Sequence, residues 1–471
     1  MNNNKFNLQE EDIFKLLNYV EIDEEEFNIE DEKISDIQKK RIIKNLNKEI
    51  NPHKKIKILK YGALAAAITL ICCFGNFSIP TVSAKDIPIL NSIIQTLNDK
   101  FGSTGEYSNF SQLVNKSITD NNVTITINEA LADDSRMIIG YTIKSKKELK
   151  DLQVFGLSKY LLLNGKSPNG THGSSMGEYK DKYTYICSEE IKTDIPNSSK
   201  FNVDLKINDI LGKKGSWNFA FSISKKDLMD KSTVFRPNYK IDLEDSIINV
   251  DKVVFSPIDT SIFIDGKYKN SNNINHKLLK YDYWLAFDDK GNEIMPSAGG
   301  TGGGNSNKTG FKCTMNYEPL KYTPKYLTII PCNITPSVEG SVDSNGNLTR
   351  KEHLVKELYK PINSPLPMKF SQGKFGDVII KDIIKENDKT TLKVIAKGIS
   401  PYIQATSIHI KDTAGNDVSY KNYNIKRNPN NLNEFTIDFE KLDSSKKYNL
   451  VISSLDNIEI RNDLKFNINL K

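Results

Sequence analysis

Cysteine, histidine and tryptophan are scarce in this chain: five, five and two residues among 471. Each shortage excludes a class of function. Five cysteines are too few for a disulfide scaffold, so apolar cores must hold the folded parts together. No cysteine precedes residue 72 and His53 is the first histidine, so the leading segment cannot build a zinc site with thiolate ligands. His172, His276, His353 and His409 are scattered, and no Cys/His or Ser/His/Asp arrangement has a local signature. The sequence therefore leads us to expect no enzyme, no catalytic residue, no metal ligand and no cofactor. A strong charge of one sign is also lacking. The net charge of +6 and pI near 8.7 are modest for this length, and nucleic-acid binding is not expected. Only Trp217 and Trp284 could offer a broad stacking platform for sugars, and core packing is the stronger reading of both.

Glycine is concentrated at 299–304, with Lys308 and Thr309 beyond. Asn307 rather than glycine precedes that lysine, and strand-like sequence surrounds it, so an exposed loop is expected rather than a phosphate cradle.

Charge is absent from 61–84, where a basic run of Lys54, Lys55, Lys57 and Lys60 leads into a stretch centred on 64–74. That length suits a crossing of a hydrocarbon core about 30 Å thick, and the preceding lysines would hold that side in the cytoplasm. A cleaved signal peptide is the rival, since Val82, Ser83 and Ala84 resemble a cleavage site. The long segment ahead argues for retention. The expectation is a single-pass membrane protein with its N-terminus cytoplasmic and its C-terminal region extracellular. Cys72 and Cys73 read as ordinary apolar residues of the span.

Ahead of the span, Ile13, Leu16, Leu17 and Val20 share one helical face with Phe14 beside it. A second helical stripe runs over 30–50 through Ile34, Ile37, Ile42, Leu46 and Ile50. Between them lies an acidic segment, 21–32, that carries Ile22, Phe27 and Ile29. Two short helices bury too little surface to fold alone, and acidic-hydrophobic segments often fold on a partner. Ile13, Phe14, Leu16, Leu17, Val20 and Phe27 are the candidate partner-binding residues. A self-packed hairpin or a helix lying on anionic lipid is the alternative.

After the span, Ile89, Ile93, Ile94 and Leu97 suit a short amphipathic helix, placed at the outer leaflet or docked on a core. From residue 107 the period becomes two. Val123, Ile125 and Ile127 alternate with polar residues, and Met137, Ile139, Tyr141 and Ile143 repeat the pattern. Similar strand pairs recur at 247–255 with 262–266 and at 378–384 with 391–396. Turns are expected at Asn164-Gly165, Asp265-Gly266, Asp288 to Asn292, Asp343 to Asn347 and Asp412 to Asn416. The expected fold is mainly β: a cytoplasmic helical segment (1–57), a transmembrane helix (58–80), a membrane-proximal helix or linker (81–105), then three immunoglobulin-like β-sandwiches at 106–236, 237–369 and 370–471. Cys313 and Cys332 fall in the second sandwich, where a disulfide and two buried thiols are both compatible with the sequence.

Taken in order, the acidic helical start, residues 39–44, the single span, Val82 to Ala84, residues 86–90 and the strand at 125–130 resemble domain-of-unknown-function family 4179, over about 10–145. Residues 240–360 resemble the β-rich domain that often follows it. The resemblance implies a membrane-bound regulator of low-GC Gram-positive bacteria similar to anti-sigma factors, and no catalytic residues. It further implies that Ile13, Phe14, Leu16, Leu17 and Val20 would cover an extracytoplasmic-function sigma factor while the outer domains sense an unknown envelope ligand. The alternative is an anchored surface protein that binds wall polymer, carbohydrate or protein.

Overall fold

The computed structural model describes residues 92–470, apart from 270–280, 298–303, 307–308, 336–337, 343–347 and 353–354. The inner helices, the lysines Lys54, Lys55, Lys57 and Lys60, the 58–80 span and the turn at Asp343 lie outside the described residues. What is described is mainly β, because the period-two alternation buries one face of each strand. The expected fold needs correction at its helical end: no helix among the described residues is long and apolar enough to cross a membrane. The four α-helices described are α1 (Ile93–Lys100), α2 (Tyr107–Phe110), α3 (Lys226–Asp230) and α4 (Pro401–Thr406).

The first unit has strands β1 (Gln112–Asp120), β2 (Val123–Ala132), β3 (Arg136–Ser145), β4 (Leu161–Leu163), β5 (His172–Asp181), β6 (Thr184–Lys192), β7 (Lys200–Ile210) and β8 (Lys213–Ser224). One layer runs β1-β2-β3-β6-β5 and the other β4-β7-β8. The second unit adds β9 (Thr233–Phe235), β10 (Tyr239–Asp242), β11 (Ser246–Phe255), β12 (Thr260–Tyr268), β13 (Tyr283–Phe287), β14 (Glu293–Ile294), β15 (Gly304–Ser306), β16 (Gly310–Tyr317) and β17 (Tyr326–Ile334). Then come a hairpin of β18 (Val338–Val342) and β19 (Leu348–Glu352), followed by β20 (Glu357–Pro361), β21 (Met368–Ser371), β22 (Gly376–Lys385) and β23 (Lys389–Gly398). The chain closes with β24 (Ile408–Asp412), β25 (Tyr420–Asn428), β26 (Asn431–Glu440), β27 (Tyr448–Ser453), β28 (Ile458–Ile460) and β29 (Phe466–Asn469).

The larger layers of the three units have one order: β1-β2-β3-β6-β5, β10-β11-β12-β16-β15 and β21-β22-β23-β26-β25. The second strand of each is bulged at the same place, between Ile127 and Glu129, Val250 and Lys252, and Ile380 and Asp382. A bulge reverses the facing of the residues beyond it in the strand. Ile127 and Ala130 therefore both meet the core of the first unit, Val250 and Val253 that of the second, while Glu129 and Lys252 turn to the opposite face.

The smaller layers correct the expectation of three sandwiches in series. In the first unit β7 lies between β4 and β8. The corresponding middle strands are β17 and β27, but their outer neighbours are crossed over: β29, from the chain end, pairs with β17, and β20 pairs with β27. The second and third units thus exchange closing strands, and neither is complete within 237–369 or 370–471. Phe466, Ile468 and Leu470 belong to the second core.

β13 and β17 are covered on both faces. Trp284, Ala286, Leu327 and Ile329 face the second core, while Leu285, Ile330 and Cys332 meet Phe375, Ile403 and Leu455 of the third unit. This double burial explains their near-continuous apolar sequence. The expected turn at Asp265-Gly266 is also corrected: both residues lie inside β12. Gly266 stands opposite Phe311 in β16, and a Cβ there would come within 2.1 Å of that ring. The expected turns do form at Asn164-Gly165, where both residues have positive φ, and at Gly291 and Gly415 (φ 79° and 89°).

Candidate functional site

Where the first and second units meet, charge is buried. Arg136 opens β3 with only 3% of its side chain exposed. Its Nη1 donates to Glu190 Oε2 at 2.6 Å and its Nε to Asp133 Oδ2 at 3.4 Å, and its Nη2 bonds Asp259 in the β11–β12 turn. The Asp259 carboxylate also accepts from Ser256 Oγ (2.9 Å), Ser261 Oγ (3.0 Å) and Asn316 Nδ2 (3.1 Å). Lys192 joins Glu190 at 3.4 Å and donates to Asn316 Oδ1 at 3.2 Å. Beside this network Asp134 accepts from Lys225 of the first unit (2.8 Å) and Lys252 of the second (3.2 Å). Lys252 reaches it because the β11 bulge turns that residue away from its own core, and its Nζ also lies 4.1 Å from the Phe263 ring centroid.

Four cations, Arg136, Lys192, Lys225 and Lys252, here face four carboxylates, Asp133, Asp134, Glu190 and Asp259. Burial alone would raise the carboxyls of Glu190 and Asp134; Arg136 and Lys192 hold the first, and Lys225 and Lys252 the second, below their ordinary values. Burial wins at Asp259, whose carboxyl is raised despite Arg136. Arg136 stays cationic, since Glu190, Asp259 and Asp133 outweigh its burial. Removing one member would leave its partners buried and unpaired, so the arrangement fixes a relative position rather than offering a reactive group.

A second device recurs at helix starts. The buried Glu129 carboxylate accepts from the Ser92 hydroxyl (2.9 Å) and the Ile94 amide (2.9 Å), capping α1. Glu293 likewise takes the Ser400 hydroxyl and, at 2.8 Å, the Tyr402 amide, capping α4. Glu189 accepts the amides of Leu157 (2.7 Å) and Ser158 (3.1 Å). Burial raises all three carboxyls, and the donors they meet oppose it. Glu293 lies at the joint of the second and third units, where Arg427 Nη1 donates to its backbone oxygen at 2.6 Å.

The thiols correct the disulfide alternative. Cys187, Cys313 and Cys332 are free and buried, and burial pushes each thiol up to about 12. Cys313 points into the second core while Cys332 faces the third unit, so the sheet lies between them. Trp217 and Trp284 are core residues, with Trp217 Nε1 donating to the Val123 carbonyl at 2.9 Å. Among the described residues no group of three or more His, Cys, Asp or Glu could hold a metal. A polar recess at one end of the first unit is lined by Asn121, Asn122, Ser145, Lys147, Lys213 and Lys214.

The sequence-predicted partner residues Ile13, Phe14, Leu16, Leu17, Val20 and Phe27 lie outside the described residues. The residues that the structure does bring together were missed, because Arg136 and Asp259 are 123 positions apart. One signal was available: a charged residue, Glu129 or Lys252, at a position where strict alternation calls for an apolar one.

Two families match the chain. Residues 232–370 match a family of unknown function, DUF5643, and residues 53–145 match a domain of unknown function, DUF4179. The crystal structure of the conserved domain protein from Bacillus anthracis is similar at a TM-score of 0.41 and 20% identity, covering 56% of this chain and 93% of that one. No curated protein matches. The DUF4179 match takes in the lysines at 54–60, all of α1 and α2, and β1 to β3, and by it residues 53–145 belong to that family of domains of unknown function.

Proposed function

We propose that this chain is a regulator of the anti-sigma kind, located at the cell membrane, with residues 1–57 sequestering an extracytoplasmic-function sigma factor on the cytoplasmic side and the β units sensing the envelope outside. The observation that carries the reading is the amphipathic face of Ile13, Leu16, Leu17 and Val20 beside an acidic segment too small to fold alone. The position of the DUF4179 domain adds support, since it joins the segment after those residues to α1 and the first three strands. A pull-down from lysate of the source cell with residues 1–57 as bait, and an Ile13→Ala, Leu16→Ala, Leu17→Ala variant as control, tests it. Capture of a sigma factor by the unaltered bait alone is expected; a soluble, intact bait that captures none sinks the reading.

The recess lined by Lys147, Lys213 and Lys214 favours a second reading, a surface protein that binds an anionic wall polymer. Co-sedimentation of the protein with purified phosphate-bearing wall polymer, lost on triple substitution of those lysines by alanine, would support it.

A further inference from the structure

Residues 92–110 form a strap that touches all three β units before the first strand begins. Its docking on the first unit is both apolar and polar. Ile94 is buried with Leu131 and Ile138, and Leu97 with Ile186. Gly140 makes room for the helix, since a Cβ there would approach Glu129 Cγ to 2.9 Å and Ile94 Cγ1 to 3.1 Å. The Glu129 carboxylate then anchors Ser92 and the Ile94 amide, and only the β2 bulge turns it that way. Lys100 adds an ion pair with Glu178.

The same strap holds the second unit. Ile258, in the β11–β12 turn, shares a buried cluster with Ile94 and Tyr107. The Glu106 amide donates to the Pro257 carbonyl at 3.1 Å. Gly105 runs so close that a Cβ would lie 2.7 Å from the Ile258 oxygen. Asp259, next in that turn, is the residue that Arg136 holds. Inside the strap Gln95 locks the two helices together: its Nε2 donates to the Gly105 carbonyl at 3.0 Å and its Oε1 accepts the Ser108 amide at 2.9 Å. The third unit is reached as well. Helix α1 lies against β25, and Thr104 of the strap and Arg427 of β25 both act on the buried Glu318 carboxyl, lowering it against its burial.

From this convergence the geometry points to a keystone: with the strap seated the three β units move as one body, and its withdrawal uncouples the second and third units from the first. The strap is also the segment that comes directly after residues 53–91, so a displacement at the β units and a pull from the N-terminal side act on the same few contacts. The coupling is a property of the fold and does not depend on which partner the inner residues bind.

Hydrogen exchange on the full-length chain tests this, comparing the unaltered protein with Leu97→Asn, which unseats the helix, and with the milder Gln95→Ala, which breaks the lock between the two helices and one exposed bond to Asp99 within α1. A keystone predicts exchange about tenfold or more faster at the 257–259 turn and along β25 in both variants. The centre of β7, remote from the strap, keeps its rate. Acceleration confined to 92–111 and the β2–β3 face, with the 257–259 turn and β25 unchanged, would overturn it. Should Leu97→Asn unfold the whole first unit, so that β7 accelerates too, Gln95→Ala decides by the same criterion.

Discussion

The two joints between the β units are built from opposite materials. Between the first and second units the contact centres on Arg136, Asp259, Glu190, Asp134, Lys225 and Lys252, a balanced ionic network supplied from both sides. Between the second and third units it is an apolar seam of Leu285, Ile330, Cys332, Phe375, Ile403 and Leu455, crossed by strands that each unit lends the other. An ionic joint is directional: it is specific when complete and costly when one member is lost. An apolar seam with exchanged strands, though it also holds the buried Glu293 against Ser400 and Tyr402, cannot open without breaking sheet hydrogen bonds. The first joint is therefore the separable one, and the strap sits there.

The largest effect should come from the seam's covalent asymmetry. Removal of residues 457–471 takes Phe466, Ile468 and Leu470 out of the second core, a loss of roughly 5–9 kcal/mol from apolar burial alone. Hydrogen exchange should show β11, β12 and β16 unprotected while β22, β23 and β26 keep their protection. Loss confined to the third unit would refute the strand exchange.

At the ionic joint, Arg136→Met leaves Asp133 and Asp259 without their cation and Glu190 with Lys192 alone. A cost of about 3–5 kcal/mol in urea unfolding is expected, and a simultaneous Asp259→Asn, Glu190→Gln change should recover part of it. At the seam, Leu285→Ala opens a cavity for about 2–4 kcal/mol, with no rescue by any charge change. If Arg136→Met costs no more than a surface substitution, the contrast between the joints fails.

The smallest effect concerns pH. Burial raises the Glu318 carboxyl from 4.5 to about 7, with Thr104 and Arg427 opposing. Its folded form binds a proton that the unfolded chain has released. The stabilising contribution is thus complete below about 4.5 and is lost as pH rises through about 7. Glu190 behaves in the other sense: its lowered carboxyl contributes above 4.5, and that contribution is lost as pH falls below it. Glu318→Gln should flatten the stability slope between pH 4.5 and 7, whereas an unchanged slope would mean that another group carries it.

The strand pairs were legible because alternation is local. Val123, Ile125 and Ile127 of β2, and Met137, Ile139, Tyr141 and Ile143 of β3, need only their own spacing to declare a half-buried strand. The turn at Asp412 to Asn416 was legible for the same reason, since Asp412 Oδ1 accepts the Asn416 amide at 2.9 Å within five residues. Asp265-Gly266 misled because the dipeptide states only what its backbone tolerates, and Phe311 across the sheet decides its use. The expected module limits failed where strand ownership depended on distant partners: nothing near β20 or β29 in sequence says which middle strand each will join.

Composition and period, then, were enough to determine a mainly β chain with few thiols, buried tryptophans and three similar strand pairs, since these depend on solvent exclusion acting over a few residues. Tertiary structure alone decided the exchange of closing strands, the ionic joint and the seat of the strap. Each depends on contacts between residues far apart in the chain, such as Thr328 with Asn467 at 139 positions, and at that separation the folded sheets, not the local chain, choose the partner.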